Sequence, residues 1–155
     1  MKFSAKEDIE APIEQVFALV SDFESLERAA LRRGAEVQRT DSLRKPGVGM
    51  RWMAAFMARG RQRKLDIEMT EYESPNGMRF HSVAQGLETD MKVEFVALSR
   101  GRTRLSVDLE LKPKSISARL LVQSLKLARA NLSKKFHLRM ADYARDLEDR
   151  AKRAT

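Results

Sequence analysis

The stretch SISARLLVQSLKLARANLSKKFHLRMADYARDLEDR, residues 115–150, contains no proline or glycine and repeats its apolar residues at helical spacing. Leu121, Leu125, Ala128, Leu132, Phe136, Met140, Tyr143 and Leu147 form one stripe, while Arg119, Lys126, Arg129, Lys134, Arg145 and Arg150 fall mainly elsewhere. The spacing predicts one long amphipathic helix from Ser115 to about Arg150. A stripe of that length needs an apolar surface to cover it.

That surface lies upstream. From Ala35 to Pro113 the pattern changes to short alternating runs separated by turn residues, as in an antiparallel meander. Strands are predicted over 36–43, 50–58, 62–72, 78–86, 90–98 and 103–112. Lys45-Pro46-Gly47-Val48-Gly49, Arg59-Gly60-Arg61, Ser74-Pro75-Asn76-Gly77 and Ser99-Arg100-Gly101-Arg102 each carry glycine or proline where the chain must reverse. Only the junction at Gly86-Leu87-Glu88-Thr89 is weakly marked.

Ahead of the meander, Phe3, Ala5, Ile9 and Ala11 alternate as in a strand that ends at Pro12. Proline suits the start of a helix, and Ile13, Val16, Phe17 and Val20 follow at helical spacing. Ser21-Asp22 interrupts, and a second short helix with Phe23, Leu26, Ala30 and Leu31 ends in Arg32-Arg33-Gly34. Burial then implies an α+β helix-grip fold. A curved antiparallel sheet of about seven strands wraps around the C-terminal helix, with two short helices after the first strand and a single domain over residues 1–155.

Composition narrows the functional classes. With 155 residues the chain has room for one core, and 43% hydrophobic with 34% charged residues describes a folded chain with a well-solvated surface. The absence of cysteine excludes disulfides and thiolate chemistry. The N-terminus has no apolar segment of signal-peptide length, and no stretch approaches the roughly 18 apolar residues of a membrane span, so a cytoplasmic location is expected. A net charge of +8 admits an anionic partner such as RNA, a ribosome or an acidic lipid surface, alongside the plainer account of solvated surface charge.

Some local segments carry a family resemblance. Ile9-Glu10-Ala11-Pro12-Ile13-Glu14-Gln15-Val16-Phe17 resembles the strand-to-helix entry of the START / polyketide cyclase / birch-pollen-allergen (SRPBCC) superfamily. Ser21-Asp22-Phe23, Pro46-Gly47-Val48-Gly49 and Gly101-Arg102-Thr103-Arg104-Leu105 are similar to its helix break, third-strand entry and last turn. The chain departs from many relatives at Ala29-Ala30-Leu31-Arg32-Arg33-Gly34, where they place tryptophan and proline. The resemblance implies an apolar ligand, lipid-, polyketide- or quinone-like, between sheet and helix. Some members are enzymes, with catalytic residues that differ between branches, so fold does not settle activity.

If the concave face takes the more apolar set of each strand, it presents Trp52, Phe56, Met69, Phe80 and Phe95, with Leu125 and Leu132 opposite on the helix. Small residues at Ala54, Ala58, Ser82, Ala84, Ala97 and Ala128 leave room for a ligand cavity, although the same residues could close-pack as core. Glu7, Arg39 and Asp41 occupy inward-phased positions, which suggests an Arg39–carboxylate pair in the cavity or at its mouth unless a local twist turns them to solvent. Alternation with Phe80 turns His81 outward; on the opposite phase it would be the natural general base.

Two distant histidines without cysteine offer no metal site, and no cofactor motif is present. Three functions remain open. They are a binder of a hydrophobic or amphipathic small molecule, a cyclase or dehydratase using His81, Tyr72 or the Glu7/Arg39/Asp41 group, and a surface contact with RNA, ribosome or anionic membrane. The superfamily's coenzyme-Q-binding and ribosome-associated branch suggests the last.

Overall fold

Two local signals place the first helices. Pro12, in extended conformation, precedes α1 (Ile13–Val20), and the Asp22 carboxylate accepts a hydrogen bond from the Ser25 backbone N–H to cap α2 (Phe23–Arg32). Strand β1 (Lys2–Ile9) precedes them, and β2 (Glu36–Arg39), β3 (Arg51–Ala58), β4 (Arg61–Glu73), β5 (Gly77–Ala84), β6 (Leu87–Ser99) and β7 (Arg102–Pro113) follow. Helices α3 (Ile116–Leu127) and α4 (Arg129–Arg153) close the chain. This is a computed structural model, and it describes residues 1–58 and 60–154. Arg59 of the Arg59-Gly60-Arg61 reversal lies outside the described residues.

The seven strands form one antiparallel sheet in the order β1-β7-β6-β5-β4-β3-β2. Neighbours in sequence are neighbours in space except for β1, which pairs with β7 across the ends of the chain. The junction at 86–89 is a tight turn in which Gln85 and Gly86 both take positive φ. A Cβ at Gly86 would lie 2.4 Å from the Ser115 hydroxyl, so this turn accepts only glycine if the start of α3 is to sit on it.

The core lies between the concave face and α4. Ala5 and Ile9 of β1 pack with Ala144, Leu147 and Ala151, and the small side chains of Ala5, Ala11, Ala144 and Ala151 are buried in this cluster. The buried Thr103 hydroxyl donates to the Ala11 carbonyl at 2.8 Å, fixing the turn out of β1. Gln15 donates to the Ala151 carbonyl, and Arg150 reaches Asp22, so α1 and α2 are both tied to the last turns of α4.

Two expectations need correction. The helix expected to run unbroken from Ser115 to Arg150 divides at Ala128, whose φ of −105° and ψ of 18° leave the helical region. Ser115 caps α3 against Ala118, and α3 seats Ala118 and Val122 at the β5–β6 end of the sheet. Its anchor at Gly86 therefore differs from that of α4, which follows β1, and one straight axis does not satisfy both. The strand expected over 36–43 stops at Arg39, because Asp41 leaves the ladder and accepts hydrogen bonds from the Leu43 and Arg51 backbone N–H groups.

Leu147 is fully buried where α4 meets β1 and α1. Leu147→Ala is expected to cost about 2–5 kcal/mol, the range for emptying a tightly packed leucine site. Urea unfolding followed by far-ultraviolet circular dichroism measures it.

Candidate functional site: an apolar cavity between sheet and helix

The small residues seat only one end of α4. Toward its N-terminus the helix carries Phe136, Met140 and Tyr143, and the Phe136 ring meets Phe3 of β1 at 6.0 Å between centroids. The large side chains hold the helix off the sheet, and the gap beneath it is a cavity of about 500 Å³. Volumes of this order accommodate small apolar ligands.

One wall is aromatic. Phe23 of α2 stands edge-on to Trp52 of β3 at 5.3 Å and to Phe80 of β5 at 6.3 Å, with Trp52 and Phe80 6.0 Å apart. Leu26 and Val37 continue this wall, and Val93, Leu105, Val107 and Leu109 form the floor. Polar groups on the lining come from Glu27, Ser82, Thr89 and Tyr143. Ser82 and Thr89 are directly opposed across β5 and β6 and so share the concave face. The Tyr143 hydroxyl is buried and has no hydrogen-bond partner among the described residues. Burial pushes its pKa up to about 12, so it stays protonated and able to donate.

Arg39 and Trp52 are register partners on β2 and β3. The guanidinium lies 5.8 Å from the Trp52 ring centre and binds both oxygens of Asp41, one through Nε at 2.8 Å. This bidentate hydrogen bond, with the Arg51 and Leu43 backbone N–H groups, holds the Asp41 carboxyl well below the usual carboxylate range despite burial. The pair forms beside the aromatic wall, and Asp41 also organises the loop that leads into β3. Glu7 is half-buried on the concave face opposite Leu105 and does not line the cavity.

The expected apolar ligand contacts divide. Trp52 and Phe80 line the cavity. Met69 is completely enclosed next to a register shift at Met69/Glu71, and Phe95 packs edge-on against Phe17 of α1 at 5.0 Å, so both belong to the solid end of the core. Phe56 pairs with Arg63 toward the β3–β4 turn, beyond the lining. Leu125 and Leu132 also fall outside it, because the break at Ala128 carries α3 away and α4 first meets the cavity at Phe136. Of the small residues, Ser82 opens onto the cavity, whereas Ala97 and Ala128 are exposed. The sequence pattern marks Phe23, Leu26 and Tyr143 only as helical stripe residues and does not disclose that α2 and the Tyr143 hydroxyl contribute to the cavity.

His81 faces away from the cavity, as its alternation with Phe80 requires. Its Nδ1 meets Asp90 at 2.8 Å and its Nε2 meets Glu88 at 2.9 Å, while Lys112 shares Asp90. Among the described residues no cluster of His, Cys, Asp or Glu is placed to hold a metal, and no helix is long and apolar enough to cross a membrane.

Residues 1–148 match the family described as polyketide cyclase / dehydrase and lipid transport, and the chain belongs to that family. The fold resembles that of TTHA0849 from Thermus thermophilus (TM-score 0.66, 22% identity, 100% of this chain and 99% of that one). It also resembles the Zhui aromatase/cyclase from Streptomyces sp. R1128 (TM-score 0.65, 10% identity, 99% and 94%). A START superfamily protein from Mycobacterium smegmatis is similar at TM-score 0.56 and 14% identity, over 86% and 95% of the two chains. No curated protein sequence gives a significant match.

The hydrogen bond to Asp90, aided by the charges of Asp90 and Glu88 and opposed by partial burial, raises the His81 pKa. The stabilisation from this group is therefore complete below about pH 6.5, the unfolded value, and is lost as pH rises through the higher folded value. Melting temperatures across that window should fall more in the wild type than in His81→Gln. Parallel curves would show that the His81 interactions add nothing to the fold.

Proposed function

We propose that the protein binds an uncharged, largely apolar small molecule, lipid-, polyketide- or quinone-like, in the cavity beneath α4. The carrying observation is the chemistry of the lining. Aromatic and aliphatic side chains make up nearly all of it, the hydroxyls of Ser82, Thr89 and Tyr143 are neutral hydrogen-bonding groups, and the one charged lining residue among the described residues, Glu27 of α2, lies within electrostatic reach of the Arg39 guanidinium. Burying about 250 Å² of ligand surface would contribute roughly 6 kcal/mol before ordering costs are subtracted.

A binding role is favoured over proton-transfer catalysis because the candidate acid–base groups read from the sequence do not converge on the cavity, and the carboxylate that does line it, Glu27, faces the Arg39 charge. His81 is engaged with Asp90 and Glu88 on the other face of the sheet. Arg39 and Asp41 are committed to each other and to the β3 loop. Tyr143 is held protonated, which suits orienting a carbonyl or hydroxyl and not accepting a proton near neutrality.

The chain has a single tryptophan, Trp52, and it lines the cavity, so occupancy is readable in intrinsic fluorescence. Protein purified without detergent should retain an apolar molecule in native mass spectrometry, and its re-addition to stripped protein should change Trp52 emission saturably. Ser82→Phe, which fills the gap, should fold normally and weaken that binding at least about tenfold, as expected when a ligand loses its volume. Absence of any retained or titratable apolar ligand would remove the proposal.

Tyr143→Phe separates the hydroxyl from the ring. Deleting an unpartnered buried hydroxyl should leave the empty protein equally stable or about 1 kcal/mol more stable. A ligand that accepts its hydrogen bond should bind about fivefold more weakly, corresponding to roughly 1 kcal/mol. Thermal melts and Trp52 titrations read the two effects independently.

A further inference from the structure

Helix α3 is apolar on two opposite faces. At 100° per residue, Ala118, Leu121, Val122 and Leu125 point to one side, where Ala118 and Val122 are buried. Ile116, Leu120 and Leu127 fall within about 40° of one another on the other side. They are 78%, 63% and 92% exposed. The first face has its partner in the fold. The second lies open to solvent.

The charges around this face have one sign. From Pro113 to Ala141 the chain has seven Lys or Arg residues and no Asp or Glu. Arg119 and Lys126 lie along one margin of the exposed stripe, Ser117 and Ser124 along the other, and neither cation forms an ion pair among the described residues. A helix with an exposed aliphatic ridge flanked by lysine and arginine matches the design of elements that lie in the interface of anionic membranes, with the apolar ridge among the acyl chains and the cations at the headgroups.

We propose that the outer face of α3 docks the protein onto an anionic lipid surface. Charge complementarity selects this occupant. Two copies meeting antiparallel through α3 would set Arg119 against Lys126, a repulsive arrangement, and a parallel pair would give these cations only Ser117 and Ser124 to face, with no counter-charge. A single-stranded nucleic acid would use the cations, but this face offers no aromatic ring for base stacking and would leave three aliphatic side chains exposed. The inference rests on exposure and charge and does not depend on what fills the cavity.

Cosedimentation of the full chain with vesicles tests it. Binding is expected to vesicles of equal parts phosphatidylcholine and phosphatidylglycerol, with little to phosphatidylcholine alone, and raising the salt should weaken it. The paired substitutions Leu120→Gln with Leu127→Gln, and Arg119→Gln with Lys126→Gln, should each lower partitioning at least about tenfold with unchanged circular dichroism. Val96→Gln, an exposed apolar site on β6, should partition as wild type. The inference is overturned if anionic vesicles capture no more protein than neutral ones, or if the Leu120/Leu127 variant partitions normally. A wild-type dimer in sedimentation velocity that the leucine substitutions dissolve would also overturn it, assigning the face to self-association.

Discussion

The structure depends on how closely α4 can approach β1. At its C-terminal end, alanines on both elements, with Ile9 and Leu147 between them, let helix and strand close to full packing. Nearer its N-terminus the same helix carries Phe136, Met140 and Tyr143, which cannot approach as closely. A helix seated at one end and propped at the other encloses a wedge, and the cavity is that wedge. It follows from a gradient of side-chain size along one helix, with no special loop or lid required. Protein interiors otherwise close to near-crystalline density, so a gap of this size persists because the surrounding contacts hold it open.

The β1–β7 pairing makes the wedge rigid. Because the first and last strands share a complete register, from Lys2 with Glu110 to Ile9 with Thr103, the grip of α4 on β1 is transmitted directly to the floor strand that carries Val107 and Leu109. Asp22 caps α2 and also receives Arg150, so the aromatic wall from Phe23 is referenced to the same helix end. Two elements lining the cavity, α2 directly and β7 through β1, are therefore anchored to the last turns of α4. This arrangement fixes the cavity, while α3, seated on β7 through its Ala118 and Val122 face and capped by Ser115 beside the Gly86 turn, has no direct tie to the last turns of α4 among the described residues.

The fold was legible because its signals are local and repeated. Period-two alternation, glycine and proline at reversals, and the helical stripe each point to the same elements, and strand ends came within a few residues except where Asp41 leaves the ladder. The site was legible by face but not by depth. Alternation correctly put Trp52, Phe80, Met69 and Phe95 on the concave side, yet it carries no information about where α4 stands off. Met69 and Phe95 therefore belong to the closed end and Phe80 to the open one. The division at Ala128 was invisible for a related reason. Alanine is a strong helix former, and the break comes from competing anchors at Gly86 and β1, which are distant in sequence.

The distribution of charge completes the chemistry of the wedge. An anionic headgroup buried in the cavity would require a cation, because an unpaired charge in an apolar site is strongly disfavoured. Arg39 is the cation stacked beside the aromatic wall, and its fork is occupied by Asp41, whose carboxylate also holds the Leu43 and Arg51 backbone N–H groups. Recruiting Arg39 to a ligand would strip Asp41 of its counter-charge and loosen the loop into β3. The interior therefore discriminates against anionic amphiphiles, and the positive charge of the chain acts at its surface. A largely apolar molecule is what such an interior suits, and under the docking proposal the basic helix with its exposed leucine ridge would face the membrane in which such molecules dissolve. Ala128 separates α3 from the part of α4 that lines the cavity, so α3 can carry an exposed apolar ridge without altering the packing that keeps the cavity open.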